Sequence, residues 1–218
     1  SLRNGSLQAG AEFEVDSMAM GFGFTSSNEI AKLLGCELVL NNQLLSTKVK
    51  TDFVGTTNIA NVWAIGDSAT INGAQIAKLR GKLLAAKFLK KSLIARALVS
   101  IDLLRQLAFQ KVLWKMFESP TYLTEFADEQ TIICRCLSIT KTELEETLQE
   151  EIETIGALKR ITRAGMGKCQ GRYCSPLAQD LLSKNHHQDL NEHSGFAPQV
   201  PIKPTPISVI AYPSEHQH

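Results

Sequence analysis

Apolar positions change their spacing along the chain, and each change predicts a different kind of structure. Within residues 1–80, short apolar runs alternate with turns rich in Gly, Asn and Ser; these runs are 13–15, 18–24 and 62–65. Short apolar runs that end at glycine are typical of strands buried on both faces in α/β domains. A short helix over residues 28–34 is predicted to stop at Gly35, because glycine accepts the left-handed conformation of a helix C-cap.

Amphipathic helices are predicted after these strands. From residue 82 to residue 118 the chain has no Gly or Pro, and apolar residues recur every three or four positions. We expect the helical stretch to break near Ser100 or Asp102, since either side chain can serve as a helix N-cap. A preceding helix is expected to start around residues 72–74.

A second unit is predicted over residues 126–184. Thr140 and Glu143 have the spacing of a capping box, in which each side chain bonds the other residue's free backbone N–H. They open a helix with an apolar stripe, formed by Leu144, Leu148 and Ile152. Helical spacing returns over 155–161, before a glycine-containing loop. Ser175 followed by Pro176 then predicts an N-cap and a last helix over 177–182.

The end of the chain has a different composition. Residues 185–218 hold five of the seven prolines and all five histidines, which predicts an extended and loosely ordered tail. His216 and His218 are expected in a frayed terminus rather than in a metal site. The predicted division is therefore 1–125, 126–184 and 185–218.

Composition and charge exclude several classes of function. The 218 residues carry 23 Lys and Arg against 22 Asp and Glu, whereas a dedicated nucleic-acid binder has a basic excess. No run approaches the roughly 18–20 uninterrupted apolar residues of a membrane span. The start at Ser1 lacks both an initiator Met and a signal-peptide core. We therefore expect a piece of a longer protein, located in the cytoplasm, where thiols stay reduced.

Four of the five cysteines lie within 41 residues. Cys134 and Cys136 are followed, after 32 residues, by Cys169 and Cys174. Both pairs are predicted in loops at helix ends, so that four sulfurs converge. Three interpretations remain open: cysteines that pack as small apolar residues, a structural zinc site, and a 2Fe–2S cluster with two thiolates on each of two irons. Cys36 lies apart and is expected in a core.

The neighbours of these cysteines favour the cluster. Six cationic residues lie between or beside them: Arg135, Lys159, Arg160, Arg163, Lys168 and Arg172. A 2Fe–2S core with four thiolates carries a charge of about −2, or about −3 when reduced, and positive surroundings stabilise the reduced state. Gly165 and Gly167 have no side chains to keep backbone N–H groups away from the sulfurs. Structural zinc usually takes its cysteines from Cys-x2–4-Cys loops, which Cys-x-Cys does not match.

These residues also carry a resemblance. Segments 133–136 and 159–174, the latter containing Gly-Met-Gly-x-Cys-Gln-Gly-Arg-x-Cys, resemble the domain related to bacterioferritin-associated ferredoxin. They are most similar to the version fused to the flavoprotein subunit of opine oxidases, hydrogen cyanide synthase and dye-linked proline or hydroxyproline dehydrogenases. The resemblance implies that a 2Fe–2S cluster is bound by Cys134, Cys136, Cys169 and Cys174.

A second candidate site follows the run 62–65. A strand there is expected to deliver Asp67 at its carboxyl end, where ligands bind in α/β sheets and where Asp can accept hydrogen bonds from ribityl hydroxyls. The helix starting at 72–74 would favour developing negative charge at its N-terminus. An ordinary loop cap remains the alternative for Asp67.

The order of segments 15–16, 21–35 and 57–67 resembles the closing half of two-dinucleotide-binding flavoproteins. The resemblance implies an α/β fold, the closing portion of a glutathione-reductase-like FAD-binding fold, followed by a small helical 2Fe–2S-binding domain. It implies FAD contacts at Gly66, Asp67, Gly73 and Ala74. No Gly-x-Gly-x-x-Gly follows a predicted strand, so we expect the FAD site to be incomplete in this chain.

The resemblance implies a fragment of an FAD- and 2Fe–2S-dependent oxidoreductase subunit. Such a protein transfers electrons in the oxidation of an amino acid, imino acid or opine. Its implied partners are an electron acceptor and a second flavoprotein subunit. Two alternatives remain: a non-catalytic 2Fe–2S electron-transfer or docking module, favoured by the missing phosphate-binding motif, and a structural zinc domain. No catalytic residue is identified.

Overall fold

The computed structural model describes residues 2–3, 6–7, 11–19, 24–41, 46–116, 124, 127–149 and 152–211. Within these ranges, helices accompany three separate two-stranded antiparallel sheets. In the first sheet β1 (Leu2–Arg3) pairs with β2 (Ser6–Leu7), and in the second β3 (Leu38–Asn41) pairs with β4 (Ser46–Val49). In the third sheet β5 (Ile132–Cys134) pairs with β6 (Ile139–Thr140). The helices are α1 (Glu29–Leu33), α2 (Gly73–Phe88), α3 (Leu93–Met116), α4 (Lys141–Leu148), α5 (Ile155–Thr162), α6 (Ser175–His186) and α7 (Ile207–Ala211). No helix in these ranges has the length and apolar character needed to cross a bilayer.

The helix predicted over residues 28–34 is present as α1. The buried Asn28 precedes it and donates from its side-chain amide to the carbonyl (2.6 Å) and the hydroxyl (3.1 Å) of Thr47, which ties α1 to β4. Gly35 follows α1 with a φ of +76°, the left-handed conformation that ends a helix. The predicted helix and its stop are confirmed.

The hairpin of β3 and β4 completes a small core next to α1. Its register pairs Leu38 with Val49. Buried side chains of this core are Ala31, Cys36, Val49, Ala64 and Ala69. Cys36 is therefore a core residue, as predicted, with a free and buried thiol.

The prediction of a strand over residues 62–65 is wrong. Trp63 makes only an isolated bridge with Thr56, and its ring meets the edge of the Phe88 ring with centroids 4.8 Å apart. A strand needs a neighbouring strand along its length to satisfy its backbone groups. The run is held by two backbone hydrogen bonds, from the Ala64 N–H to the Gly55 carbonyl (2.9 Å) and from the Thr57 N–H to the Val62 carbonyl (3.2 Å), and by side-chain packing of Val62 and Ala64.

The strands expected over residues 13–15 and 18–24 are not present in the described residues. Residues 11–19 form no strand, and the Phe13 side chain is 80% exposed. Residues 20–23 lie outside the described ranges. The described chain is thus a mixed structure of helices and small sheets.

Two helices occupy the stretch without Gly or Pro, and their break differs from the prediction. Ser100 and Asp102 both lie inside α3. The break falls before α3, where Lys90 has a φ of +48° and the Ser92 hydroxyl accepts the Ala95 N–H (3.4 Å). The Ser100 hydroxyl donates to a carbonyl of the preceding turn, which is compatible with a continuous helix.

Helices α2 and α3 pack against each other. Ile76 and Leu83 of α2 contact the fully buried Leu103 of α3. Much of the rest of α3 is apolar and exposed. These exposed side chains are Leu93, Ile94, Leu98, Ile101, Leu104, Phe109, Val112 and Met116.

Residues 127–196, here called the cysteine unit, have a core of their own. The β5–β6 hairpin leads into α4, and α4, α5 and α6 contact one another. The core includes Ile133, Leu144, Leu148, Ile152, Leu158, Ala178, Leu181 and Phe196. The predicted apolar stripe of α4 is confirmed by this burial, although α4 itself ends at Leu148.

The start of α6 and the segment after it differ from the prediction. Cys174, not Ser175, occupies the N-cap position, and α6 extends to His186. The Ser175 hydroxyl instead accepts hydrogen bonds from the Gln179 side-chain amide (2.8 Å) and from the Phe196 N–H (3.3 Å). The segment after α6 therefore returns to the cysteine unit. His216 and His218 lie outside the described residues.

The predicted capping box of Thr140 and Glu143 is present at the start of α4. Replacing Thr140 by Ala removes one of its two hydrogen bonds. The Thr140 hydroxyl accepts the Glu143 N–H (3.3 Å), and the Glu143 carboxylate accepts the Thr140 N–H (2.7 Å). We expect T140A to lower the free energy of unfolding by about 1 kcal/mol, the usual cost of losing an N-cap. Urea denaturation measures this change.

The matched control for T140A is Thr147→Ala in the same helix. The Thr147 hydroxyl donates to the Glu143 carbonyl, and Ala is favourable in a helix interior. T147A is expected to leave the free energy of unfolding nearly unchanged. Equal losses in the two variants would contradict the stabilising role of the cap.

Candidate metal centre

The four clustered cysteines lie where two segments of the cysteine unit meet. Cys134 is the last residue of β5, Cys136 lies in the turn after it, and Cys169 and Cys174 lie between α5 and α6. Cys134 and Cys174 are 1% and 0% exposed. Cys169 is half-buried, and Cys136 is exposed. The predicted loop positions are observed for three of the four, while Cys134 ends a strand.

The sulfurs approach one another as two pairs, each with one cysteine from either segment. In the inner pair the free thiols of Cys174 and Cys134 share a side-chain hydrogen bond. In the outer pair the Cys136 thiol donates to the Cys169 sulfur. Cys174 also experiences the charge of Cys169, so the two pairs adjoin.

This donor set fits a [2Fe–2S] cluster. Each of the two irons in such a cluster takes two thiolates, and the chain offers two adjoining thiol pairs. Within the described ranges, no group of three or more Cys, His, Asp or Glu side chains is gathered closely enough to hold a metal ion, so the fit rests on the chemistry of the donor set and not on a preformed cage of four sulfurs.

Hydrogen bonds favour the charged form of Cys169 in the outer pair. Burial raises the pKa of Cys169, but the N–H groups of Gly171, Arg172 and Tyr173 and the Cys136 thiol outweigh it, so the pKa lies below the usual value. These N–H groups stabilise the thiolate because they point the positive ends of their dipoles at the sulfur. The same donors would stabilise a metal-bound thiolate.

Cys174, in the inner pair, has the opposite character. Burial, together with the neighbouring Cys134 and Cys169, raises the pKa of Cys174 to about 12. A buried thiolate is costly unless positive charge lies beside it. A bound metal ion supplies that charge and takes the place of the proton.

Glycines allow the two segments to approach closely. A Cβ on Gly167 would overlap the Cβ of Cys136 and lie 3.3 Å from its sulfur. Gly165 and Gly171 have φ angles of +81° and +80°, and Cβ atoms there would lie 2.6 and 2.7 Å from the ring of Phe196. The ring therefore lies directly against the backbone of the loop that carries Cys169.

Of the six predicted cations, Arg172 is the one with a specific contact to a cysteine residue. Its Nη1 donates to the Cys169 carbonyl (3.1 Å), and its Nη2 lies 2.8 Å from the carboxylate of Glu29 in α1. The Nζ of Lys159 lies 5.6 Å from the Phe196 ring centroid, and the remaining four make no such contact within the described ranges. Sequence reasoning missed Glu29, because nothing in the sequence indicates that α1 contacts the cysteine loop.

The four residues predicted to contact FAD lie in two neighbouring elements of the chain. Gly66 and Asp67 begin a 3₁₀ turn, and Gly73 and Ala74 begin α2. The Asp67 carbonyl accepts the Ser27 N–H (3.1 Å), and its side chain is exposed. A Cβ on Gly66 would lie 3.3 Å from the Cβ of Ala77, so the turn packs closely on α2.

Comparison with known proteins identifies related sequences over most of the chain. An opine oxidase subunit of Agrobacterium tumefaciens (strain Ach5) is 29% identical over 208 residues, covering 90% of this chain and 41% of that protein. Hydrogen cyanide synthase subunit HcnB of Pseudomonas aeruginosa is 26% identical over 212 residues, covering 93% of this chain and 45% of that protein. The chain thus spans less than half the length of these relatives.

A solved structure has a similar fold. L-proline dehydrogenase from P. horikoshii superposes with a TM-score of 0.60 at 21% identity, over 81% of this chain and 35% of that chain. Residues 132–184, which include all four clustered cysteines, match the model of the BFD-like [2Fe-2S] binding domain. The chain therefore contains a BFD-like [2Fe-2S] binding domain, within a sequence related over most of its length to subunits of opine oxidase and hydrogen cyanide synthase.

Proposed function

We propose that this chain is part of an FAD- and 2Fe–2S-dependent oxidoreductase subunit that transfers electrons in the oxidation of an amino acid, imino acid or opine. The ligands of the cluster are Cys134, Cys136, Cys169 and Cys174. The observation that carries the proposal is the meeting of four thiols as two adjoining pairs inside the segment that matches a [2Fe-2S] binding domain.

A bound cluster supplies one-electron transfer. The chain's own residues hold and tune it. The Gly171, Arg172 and Tyr173 N–H groups donate to Cys169 and favour the more negative state of the site. The buried inner pair keeps water away from two of the four sulfurs. The exposed Cys136 leaves one edge of the site open to an electron donor or acceptor.

The first part of the chain is proposed to contribute the closing portion of a glutathione-reductase-like FAD site. Gly66 and Asp67 would contact the ribityl chain and phosphates, and Gly73 and Ala74 would face the flavin ring. Two observations support this proposal: the tight turn at Gly66 and the exposed start of α2 beside it. An exposed helix N-terminus favours negative charge, such as that of a reduced flavin.

A second flavoprotein subunit is the proposed partner, and the cytoplasm the proposed location. Both relatives described above are named as subunits. The row of exposed apolar side chains along α3 supports a partner, because contiguous exposed apolar surface is typical of interaction sites.

The alternative function is a non-catalytic 2Fe–2S electron-transfer module. It is supported by the lack of a Gly-x-Gly-x-x-Gly motif after any predicted strand of this sequence, since that motif holds the FAD pyrophosphate. In this alternative residues 1–125 serve only as a scaffold.

The first test measures metal content. Anaerobically purified protein is expected to contain about two irons and two acid-labile sulfides per chain, with a paramagnetic resonance signal after dithionite reduction. C136S is expected to lose most of the cluster, and C36A, which alters the cysteine outside the group, to retain it. One zinc per chain without sulfide would overturn the cluster and leave a structural zinc domain.

Gly167→Ala tests the close approach of the two cysteine-bearing segments. The new Cβ would overlap Cys136, and relieving such overpacking costs about 1–3 kcal/mol. We expect the chain to retain several-fold less iron when challenged with a chelator. Gly156→Ala in α5 is the matched control, because its Cβ would be 3.6 Å from its nearest neighbour, an Arg160 nitrogen. Equal iron retention in the two variants would contradict a role for the close approach.

Asp67→Ala tests the proposed FAD contact. Loss of hydrogen bonds to a charged group is expected to weaken FAD binding at least about tenfold, measured by quenching of flavin fluorescence. Asp102→Asn, at an exposed position of α3, is the control and should bind FAD as the unmodified chain does. Unchanged binding in D67A would remove Asp67 from the site. Absence of FAD binding by the unmodified chain would favour the electron-transfer module.

A further inference from the structure

The ion pair between Glu29 and Arg172 joins two distant parts of the chain at the cysteine loop. Glu29 is the first residue of α1, and Arg172 lies between Cys169 and Cys174. The guanidinium spans both partners, with Nη2 2.8 Å from the Glu29 carboxylate and Nη1 3.1 Å from the Cys169 carbonyl. Arg suits this position because its planar fork can bond two acceptors at once.

This pair differs from an ordinary surface ion pair. The side chains of Arg172 and Glu29 are 32% and 22% exposed. Those of Lys50 and Glu37, which form a pair of the same 2.8 Å length, are 59% and 53% exposed. Exposed pairs contribute little because solvent screens them. The shielded pair is better able to hold a loop in place.

The loop that Arg172 holds is also the loop whose backbone N–H groups surround the Cys169 sulfur. The Arg172 N–H donates to the Cys169 carbonyl (N to O, 3.2 Å), which closes the turn. The N–H groups of Gly171, Arg172 and Tyr173 face the sulfur and lower the pKa of Cys169. Fixing the guanidinium at the Cys169 carbonyl therefore fixes the turn whose N–H groups face the sulfur.

We propose that Glu29 and Arg172 are positioning residues of the cluster site: through their ion pair, α1 holds the turn at 169–173 so that its N–H groups keep pointing at Cys169. The inference rests on the proposed function, in which Cys169 is a cluster ligand. N–H donors stabilise the more negative reduced state, and the pair thereby raises the reduction potential of the cluster.

The experiment uses variants that keep the charge of each side chain, so that a change in the cluster's midpoint potential reports the geometry of the ion pair and not its charge. Glu29→Asp retains the carboxylate but shortens the side chain, and Arg172→Lys retains the cation but loses the fork. Glu37→Asp shortens the matched pair with Lys50 and is the control. The midpoint potential of the cluster is measured in each chain by redox titration monitored by paramagnetic resonance, at matched iron content.

E29D and R172K are expected to lower the ratio of reduced to oxidised cluster at a fixed potential by about three- to tenfold. A change of this size corresponds to the usual net free energy of one hydrogen bond. E37D is expected to leave the ratio unchanged. Loss of iron from E29D but not from E37D supports the proposal equally, because Glu29 reaches the cysteines only through Arg172 among the described contacts.

Two results would overturn the inference. One is an unchanged midpoint in both E29D and R172K. The other is a midpoint that follows charge alone, rising in Glu29→Gln while E29D stays unchanged. These results are distinct from failure of the proposed function, which would appear as an unmodified chain without iron and sulfide.

Discussion

The sulfurs of Cys134 and Cys174 lie in the same apolar core as Leu144 and Leu158, and the rest of the cysteine unit is organised around that placement. A protonated thiol packs there as a small apolar group. A thiolate does not, and burial therefore raises the pKa of Cys174 to about 12. Deprotonation of Cys174 requires positive charge at the same place. Metal binding and stability of this unit are linked for that reason, since the same atoms serve as core and as ligands.

The outer pair is stabilised from the surface rather than from the core. Its sulfurs are more accessible, and backbone N–H groups lower the pKa of Cys169 below its usual value. The turn that supplies these donors is contacted by α1 through Glu29 and by the ring of Phe196. One cluster site thus combines two environments, a dry inner side and a hydrogen-bonded outer side.

Local signals in the sequence predicted the parts of the structure that depend on neighbouring residues. The capping box at Thr140, the helix stop at Gly35 and the apolar stripe of α4 each depend on interactions within a few positions, and all are observed. The prediction of a strand over 62–65 was wrong because an apolar run forms a strand only if another segment pairs along its length, and here Thr56 bridges Trp63 alone. The helix break was misplaced because Ser92 and Ser100 are both capping residue types, and only backbone geometry decides between them. The contact of Glu29 with Arg172 has no local signal.

The domain that contains the four clustered cysteines ends at different residues when it is defined by sequence similarity and when it is defined by its packed core, and Phe196 lies only within the second. Similarity to the family model ends at residue 184, whereas the packed core includes Phe196, whose ring covers the backbone at Gly165 and Gly171. A boundary drawn from sequence similarity would therefore cut through a hydrophobic core. Excising or transplanting residues 132–184 would carry all four cysteines to a new setting without the aromatic ring that shields their loop. A transferable version of this module has to include the chain that returns after α6.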